Sequence, residues 1–104
     1  MLRVLGFEFL VFSVRCGERR EGAHMEGDDR VKEKSYAFAL LVIGVARDLQ
    51  KRKEFVLSGQ LLRSGTSIGA NIEEASAAQS RRDFIAKMSI ASKEARETDY
   101  WLRL

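Results

Sequence analysis

The segment of this sequence best suited to chemistry is residues 61–75, LLRSGTSIGANIEEA, in which two glycines stand among serines and a threonine. A phosphate-binding loop of this composition follows a strand, carries Lys-Ser or Lys-Thr, and opens a helix. Here the lysine is missing, and no strand pattern precedes the glycines. We therefore do not expect a phosphate loop, and ask instead which element holds this segment.

Other reactive groups are sparse. Cys16 is the only cysteine and His24 the only histidine, which excludes an internal disulfide and argues against a zinc site, a Cys/His nucleophile pair and a di-iron bundle. Glu94 and Glu97 have no nucleophile or substrate-bracketing group near them in sequence. We expect no enzymatic activity, no cofactor and no metal.

Composition favours an all-α protein. The chain has 104 residues, no proline, 45% apolar and 32% charged residues, as long amphipathic helices require. A chain of this length builds only a modest core, so partner chains are expected. Its net charge of +3 permits RNA binding without requiring it.

Residues 1–30 differ from the rest and are predicted to be an extension, either disordered or upstream of the true start at Met25, with residues 31–104 forming the helical domain. The apolar run at 4–14 is interrupted by Glu8, lacks a cleavage site and is too short to span a bilayer. The remaining alternative is a short strand or helix packed on the domain. The start at Met25 is favoured.

The first helix is predicted over residues 32–51. Residues 36–43 are apolar on every side, whereas a surface helix has one apolar stripe. Two interpretations are equally supported: this is the central helix of a bundle, or its second face packs against another subunit.

The second helix begins near Glu54 and continues through the glycines, because an apolar face persists on both sides of them. Gly65 and Gly69 lie on that face, where they would let a neighbouring backbone approach closely; a break near Gly65 is the alternative. The opposite side carries a polar stripe. It consists of Gln60, Arg63, Ser67, Asn71 and Glu74.

The third helix has a clear start, with Ser80 as N-cap and Asp83 completing a capping box. One face is predicted to be core: Phe84, Met88, Ala91, Ala95 and Leu102. A second line contains Ile90, Glu94, Glu97 and Trp101. This line is either a solvated flank or a contact with another helix or subunit, and its carboxylates are placed to meet Arg63 or Lys87.

Residues 35–104 resemble the four-helix-bundle proteins known as 23S rRNA-intervening sequence proteins. The family's Gln-x-x-Arg-Ser-x-x-Ser-Ile-x-x-Asn-Ile-x-Glu pattern falls on Gln60, Arg63, Ser64, Ser67, Ile68, Asn71, Ile72 and Glu74. The family's later part is matched by Ser80, Asp83, Phe84, Ile85, Lys87, Ile90, Ala91, Lys93, Glu94, Glu97, Tyr100 and Trp101.

The resemblance implies an antiparallel helical bundle that self-associates into a ring, typically a pentamer, in the bacterial cytoplasm. It implies no catalytic residues, and RNA or RNA-protein binding is the usual conjecture for the family.

For the polar stripe, we favour a network that sets the register between helices or subunits, rather than a ligand site. The family's fourth helix has no counterpart before Leu104. We expect a truncated copy, the alternative being that residues 4–14 fill part of the vacant groove.

The leading functional hypothesis is therefore a non-catalytic, oligomeric RNA-associated protein that reads charge and shape. Its candidate RNA-binding residues are Arg47, Lys51, Arg52, Lys53, Arg81, Arg82 and Lys87. The alternative is a protein-interaction scaffold that binds through Glu94, Glu97 and Trp101. No membrane association is expected.

Overall fold

The computed structural model describes residues 29–104, which form three helices and no strand. These are α1 (Asp29–Lys51), α2 (Phe55–Ser76) and α3 (Arg81–Arg103). The all-α fold class is thus confirmed, with three helices in the described part of the chain. The predicted extension over residues 1–30 and the start at Met25 lie outside the described residues, except that Asp29 and Arg30 belong to α1.

A tight turn reverses the chain between α1 and α2. The backbone N–H of Glu54 donates to the carbonyl of Leu49 and that of Lys53 to the carbonyl of Gln50, both at 2.9 Å. This is the Schellman pattern of helix termination, whose left-handed residue is usually glycine. Here Lys53 adopts φ 64°. A left-handed backbone costs a residue with a Cβ atom about 1–2 kcal/mol.

Helix α2 is continuous over 22 residues and passes through both glycines without a break. The continuous helix is therefore confirmed, and the alternative of a break near Gly65 is wrong. The apolar face is buried where the phase of the helix places it, at Leu61, Ile68 and Ile72. Residues at three- and four-residue spacings lie on one side of a helix, so one stripe forms the core contact.

Helix α3 begins at the predicted cap. The backbone N–H of Asp83 donates to Ser80 Oγ at 3.1 Å. The Asp83 carboxylate accepts in return from the N–H of Gln79 at 3.4 Å, one residue earlier than a capping box would place that bond. The start of α3 thus follows from local chemistry, before any tertiary contact.

The core is formed by all three helices, and α2 packs against both of the others. Its members include Phe38 and Val42 from α1 and Phe84 and Met88 from α3. The interpretation of the first helix as central is therefore wrong within the described residues. Residue types show that a helix has two apolar sides, but not which neighbour covers them.

The outer side of α1 remains uncovered. Tyr36, Leu40 and Leu41 are 68%, 55% and 54% exposed. Adjacent large apolar side chains that stay in water form a patch of the kind that marks interaction sites on soluble proteins. We call these three residues the α1 outer face.

Candidate nucleic-acid interface and the polar network beside it

The polar stripe of α2 lies on the flank that meets α3. Arg63 Nη1 donates to Glu94 Oε2 at 3.3 Å, and Arg63 Nη2 donates to Glu97 Oε2. Glu97 Oε2 also accepts from Trp101 Nε1 at 2.9 Å. One guanidinium thus joins two carboxylates one turn apart, and the ion pairs predicted between these carboxylates and Arg63 are formed.

The same flank carries a second ion pair nearer the other end of α2. Lys87 Nζ donates to Glu74 Oε1 at 2.8 Å. The hydrogen bond to Glu74, together with the charge of that carboxylate, raises the pKa of Lys87 above its ordinary value of 10.5. Lys87 was predicted to bind RNA, but its charge is already partly neutralised within the chain.

The middle of the stripe turns back on its own helix. Ser67 Oγ donates to the carbonyl of Arg63 at 2.6 Å, and Asn71 Nδ2 donates to the carbonyl of Ser67 at 2.8 Å. Gln60 is half-buried on the same side. The stripe therefore contacts α3 through its two charged members, Arg63 and Glu74, while Ser67 and Asn71 satisfy backbone groups of α2.

A buried hydroxyl pair accompanies this network. Thr98 Oγ1 lies 3.0 Å from Ser64 Oγ and 2.7 Å from the carbonyl oxygen of Glu94, and both side chains are fully buried. A hydroxyl group donates one hydrogen bond and accepts up to two, so the pair satisfies itself without water. Residue types alone do not signal this contact, because a helical serine or threonine more often faces solvent or bonds its own backbone.

The glycines of α2 lie on the opposite side, against α1. A Cβ atom added at Gly65 would lie 2.7 Å from Val42 Cγ1, and one at Gly69 would lie 3.4 Å from Ser35 Oγ. Contacts under 3 Å are not tolerated by well-packed side chains. At Gly65 the Val42 side chain therefore fills the space that a Cβ atom would need, whereas a Cβ atom at Gly69 would be in ordinary contact with Ser35.

The predicted RNA-binding cations fall into two groups at opposite ends of α2. Residues 47–53 flank the turn before α2, whereas Arg81, Arg82 and Lys87 follow the turn after it. The helix between these turns spans roughly 33 Å at 1.5 Å per residue. One chain therefore does not gather these cations into a single patch.

Most of these cations have no carboxylate partner within residues 29–104, in contrast to the cations on the flanks. The unpaired ones are Arg47, Lys51, Arg52, Lys53, Arg81 and Arg82, all of which are exposed. Lys93 and Arg96 on α3 are also exposed and unpaired, and sequence reasoning did not select them.

An open depression lies where the start of α1 meets the end of α2. It has a volume of about 410 Å³ and is lined by Asp29, Lys32, Glu33, Tyr36 and Glu73. Lys32 and Glu73 form an ion pair across it at 3.6 Å. Three carboxylates against one lysine make this region acidic, so it is unsuited to an anionic ligand.

Within residues 29–104, no group of three or more histidine, cysteine or acidic side chains is arranged to hold a metal ion. The helices of that part are also too polar for any of them to cross a bilayer. Cys16 and His24 lie outside the described residues.

Comparison with known proteins gives a family. The sequence model of the 23S rRNA-intervening sequence protein family matches residues 27–104. A search of curated proteins gave no match. Among solved structures, the fold is similar to that of a protein of unknown function from the S23 ribosomal protein family of Bacteroides thetaiotaomicron. The two are 59% identical, with a TM-score of 0.68 over 69% of this chain and 68% of the other.

Most of the described helical part thus shares sequence and fold with one group of proteins. The chain belongs to the 23S rRNA-intervening sequence protein family.

Proposed function

We propose that this protein is a non-catalytic RNA-associated protein of the bacterial cytoplasm that contacts phosphates through the ends of its helical bundle. The observation that carries the proposal is the separation of its cations. Arg63 and Lys87 on the α2–α3 flank are paired with carboxylates, whereas six of the eight exposed, unpaired cations within residues 29–104 lie beside the two turns, the other two being Lys93 and Arg96 on α3. When such a cation binds a phosphate of RNA, it releases counterions from the RNA, and no ion pair within the protein has to be broken.

The two ends hold the six cations in clusters of four and two. Arg47, Lys51, Arg52 and Lys53 lie at the turn before α2, and Arg81 and Arg82 lie at the start of α3. Lys87 contributes less, because its ammonium group is hydrogen-bonded to Glu74. The family name and the ribosomal protein family of the solved neighbour are compatible with an RNA partner.

Self-association is the second part of the proposal. The α1 outer face offers Tyr36, Leu40 and Leu41 to a second copy of the chain. Burying two half-exposed leucines removes enough apolar surface to contribute about 2–3 kcal/mol to each contact. A closed ring, with five copies as the expected number, would also bring the basic ends of neighbouring chains together.

The alternative is a protein-interaction scaffold that binds through Glu94, Glu97 and Trp101. Both carboxylates accept hydrogen bonds from Arg63, and the indole N–H is bound to Glu97. A partner would therefore have to compete with contacts that are already made. This favours the basic ends over the acidic flank as the binding surface.

Fluorescence anisotropy with a labelled RNA, measured against salt concentration, tests the proposal. We expect affinity to fall steeply with salt, and the double variants Arg52→Glu/Lys53→Glu and Arg81→Glu/Arg82→Glu each to lower the slope of log K against log salt by about 1–2. Lys93→Glu/Arg96→Glu is the matched control, since it reverses two exposed, unpaired charges away from the turns. Affinity independent of salt, or equal loss in the control, would sink the proposal.

A further inference from the structure

The basic turn before α2 is followed directly by an exposed aromatic ring. Phe55 is 64% exposed and is the first residue of α2, two positions after Lys53. A single exposed apolar residue is ordinary on a protein surface. Phe55 differs because four unpaired cations precede it within eight positions, and because Val56 beside it is also exposed.

Exposed aromatic rings beside cations are the combination that binds single-stranded nucleic acid. Bases stack on the ring, and the cations follow the backbone, largely without regard to base sequence. In a duplex the bases are already stacked on one another, so a ring at the protein surface has no free base face to meet. The turn therefore suits single-stranded RNA better than paired RNA.

The left-handed residue of the turn is consistent with this use. The Schellman position that normally selects glycine is occupied by Lys53, at φ 64°. A residue retained in a strained backbone conformation is a reason to look for function at that place. A lysine here adds one more cation two positions before Phe55.

The local charge balance also favours an anionic ligand. Between positions 47 and 54 the chain has four cations and two carboxylates, Asp48 and Glu54. The excess is therefore positive. The other strongly exposed aromatic residue of the described chain, Tyr36 at 68%, instead borders the acidic depression with Asp29, Glu33 and Glu73. The two rings are comparably exposed in opposite electrostatic surroundings.

We propose that Phe55 and the turn before it form a contact for single-stranded RNA, in which one base stacks on the Phe55 ring while Lys51, Arg52 and Lys53 bind the flanking phosphates. This contact rests on the proposed RNA-associated function and narrows it. It specifies that the RNA is single-stranded and names one aromatic contact residue. Residue types alone led us to expect that RNA is recognised by its charge and shape, without stacking of bases on an aromatic ring.

The test compares Phe55→Leu with Tyr100→Leu, which removes a half-exposed aromatic ring on α3, using a labelled 12-nucleotide oligo(A) and a labelled blunt-ended RNA duplex of 12 base pairs. We expect Phe55→Leu to weaken binding of oligo(A) roughly 5- to 100-fold and to leave binding of the duplex nearly unchanged. Phe55→Tyr should keep the affinity for oligo(A), because tyrosine retains the ring. Tyr100→Leu should leave both affinities unchanged.

Several results would overturn the contact. If Phe55→Leu binds oligo(A) like the unsubstituted protein while Arg52→Glu/Lys53→Glu loses it, RNA association stands and the stacking role of Phe55 is wrong. The same conclusion follows if Tyr100→Leu loses as much affinity as Phe55→Leu. If the unsubstituted protein binds neither RNA at low salt, both this contact and the proposed function fail. Circular dichroism melting of each variant distinguishes lost binding from lost folding.

Discussion

Gly65 of α2 lies directly against Val42 of α1. A Cβ atom at position 65 would lie 2.7 and 2.8 Å from the two Val42 methyl carbons and 3.1 Å from Val42 Cβ. Valine has one strongly preferred rotamer in a helix, so it cannot turn away from such a contact. The packing of α1 against α2 therefore leaves no room for a side chain at position 65.

Gly65→Ala is expected to destabilise the protein. Replacing glycine by alanine stabilises the helix by up to about 1 kcal/mol. Forcing the added methyl group into a filled core destabilises the fold by typically about 1–3 kcal/mol. The free energy of unfolding should fall by up to about 2 kcal/mol in urea denaturation, as the difference between these two effects. The double variant Gly65→Ala/Val42→Ala should lose less stability than the sum of the two single variants, since the added methyl group then occupies space that the Val42 methyl groups leave.

Gly59→Ala is the matched control in the same helix. A Cβ atom there meets nothing within 4 Å, so only the gain in propensity remains. We expect this variant to be more stable than the unsubstituted protein by about 0.5–1 kcal/mol. If the two alanine variants change stability in the same direction, the close contact at Gly65 does not limit the packing.

The sequence predicted the course of α2 because two stripes, one apolar and one polar, keep helical phase through Gly65 and Gly69. It predicted the start of α3 because Ser80 and Asp83 act locally. It did not predict that α2 is the central helix. Periodicity defines the faces of a helix, but the identity of the covering neighbour depends on long-range packing.

The candidate site, too, could be predicted only in part from the sequence. Charge spacing indicated that Arg63 would meet carboxylates of α3, because the partners are complementary and each lies on a defined line. The division of the cations between two ends followed only from the fold. Phe55 was not selected, because its importance lies in being exposed next to the basic turn, and exposure is a tertiary property.

The hydroxyl pair of Ser64 and Thr98 is expected to stabilise the α2–α3 contact. Thr98→Val removes one hydroxyl with little change of shape and leaves Ser64 buried beside a methyl group, which should lower the free energy of unfolding by about 1–3 kcal/mol. Ser64→Ala should cost a comparable amount. The double variant should cost less than the sum of the single ones, because each single variant already breaks the one hydrogen bond between the two hydroxyls. Strict additivity would contradict a direct hydrogen bond between them.

The ion pair of Lys87 and Glu74 makes a pH-dependent contribution to stability. Folding raises the pKa of Lys87 above its ordinary value of 10.5, so the contribution is complete below pH 10.5 and is lost as the pH rises through the raised pKa. Glu74→Gln should therefore lower the midpoint of urea denaturation between pH 7 and 9, and the difference should disappear at higher pH.

An NMR titration of Lys87 Nζ tests the same contact directly. Glu74→Gln should return the pKa of Lys87 toward its ordinary value, since the hydrogen bond to the carboxylate is the largest cause of the shift. Glu73→Gln is the control, because Glu73 pairs with Lys32 and not with Lys87. An equal effect of both substitutions would assign the shift to general surface charge rather than to the pair.

The α1 outer face is expected to mediate self-association. Leu40→Glu and Leu41→Glu would each place a carboxylate in a contact between copies, weakening association by about 10- to 100-fold for each buried leucine lost. Within one chain both positions are half-exposed, so the fold itself should change in stability by no more than about 0.5 kcal/mol. Sedimentation equilibrium of each variant over a range of protein concentrations measures the effect.

Val56→Glu is the control for these variants, since Val56 is 82% exposed and lies outside this face. If Val56→Glu disperses the assembly as effectively as Leu41→Glu, association is general hydrophobic aggregation and α1 provides no specific interface.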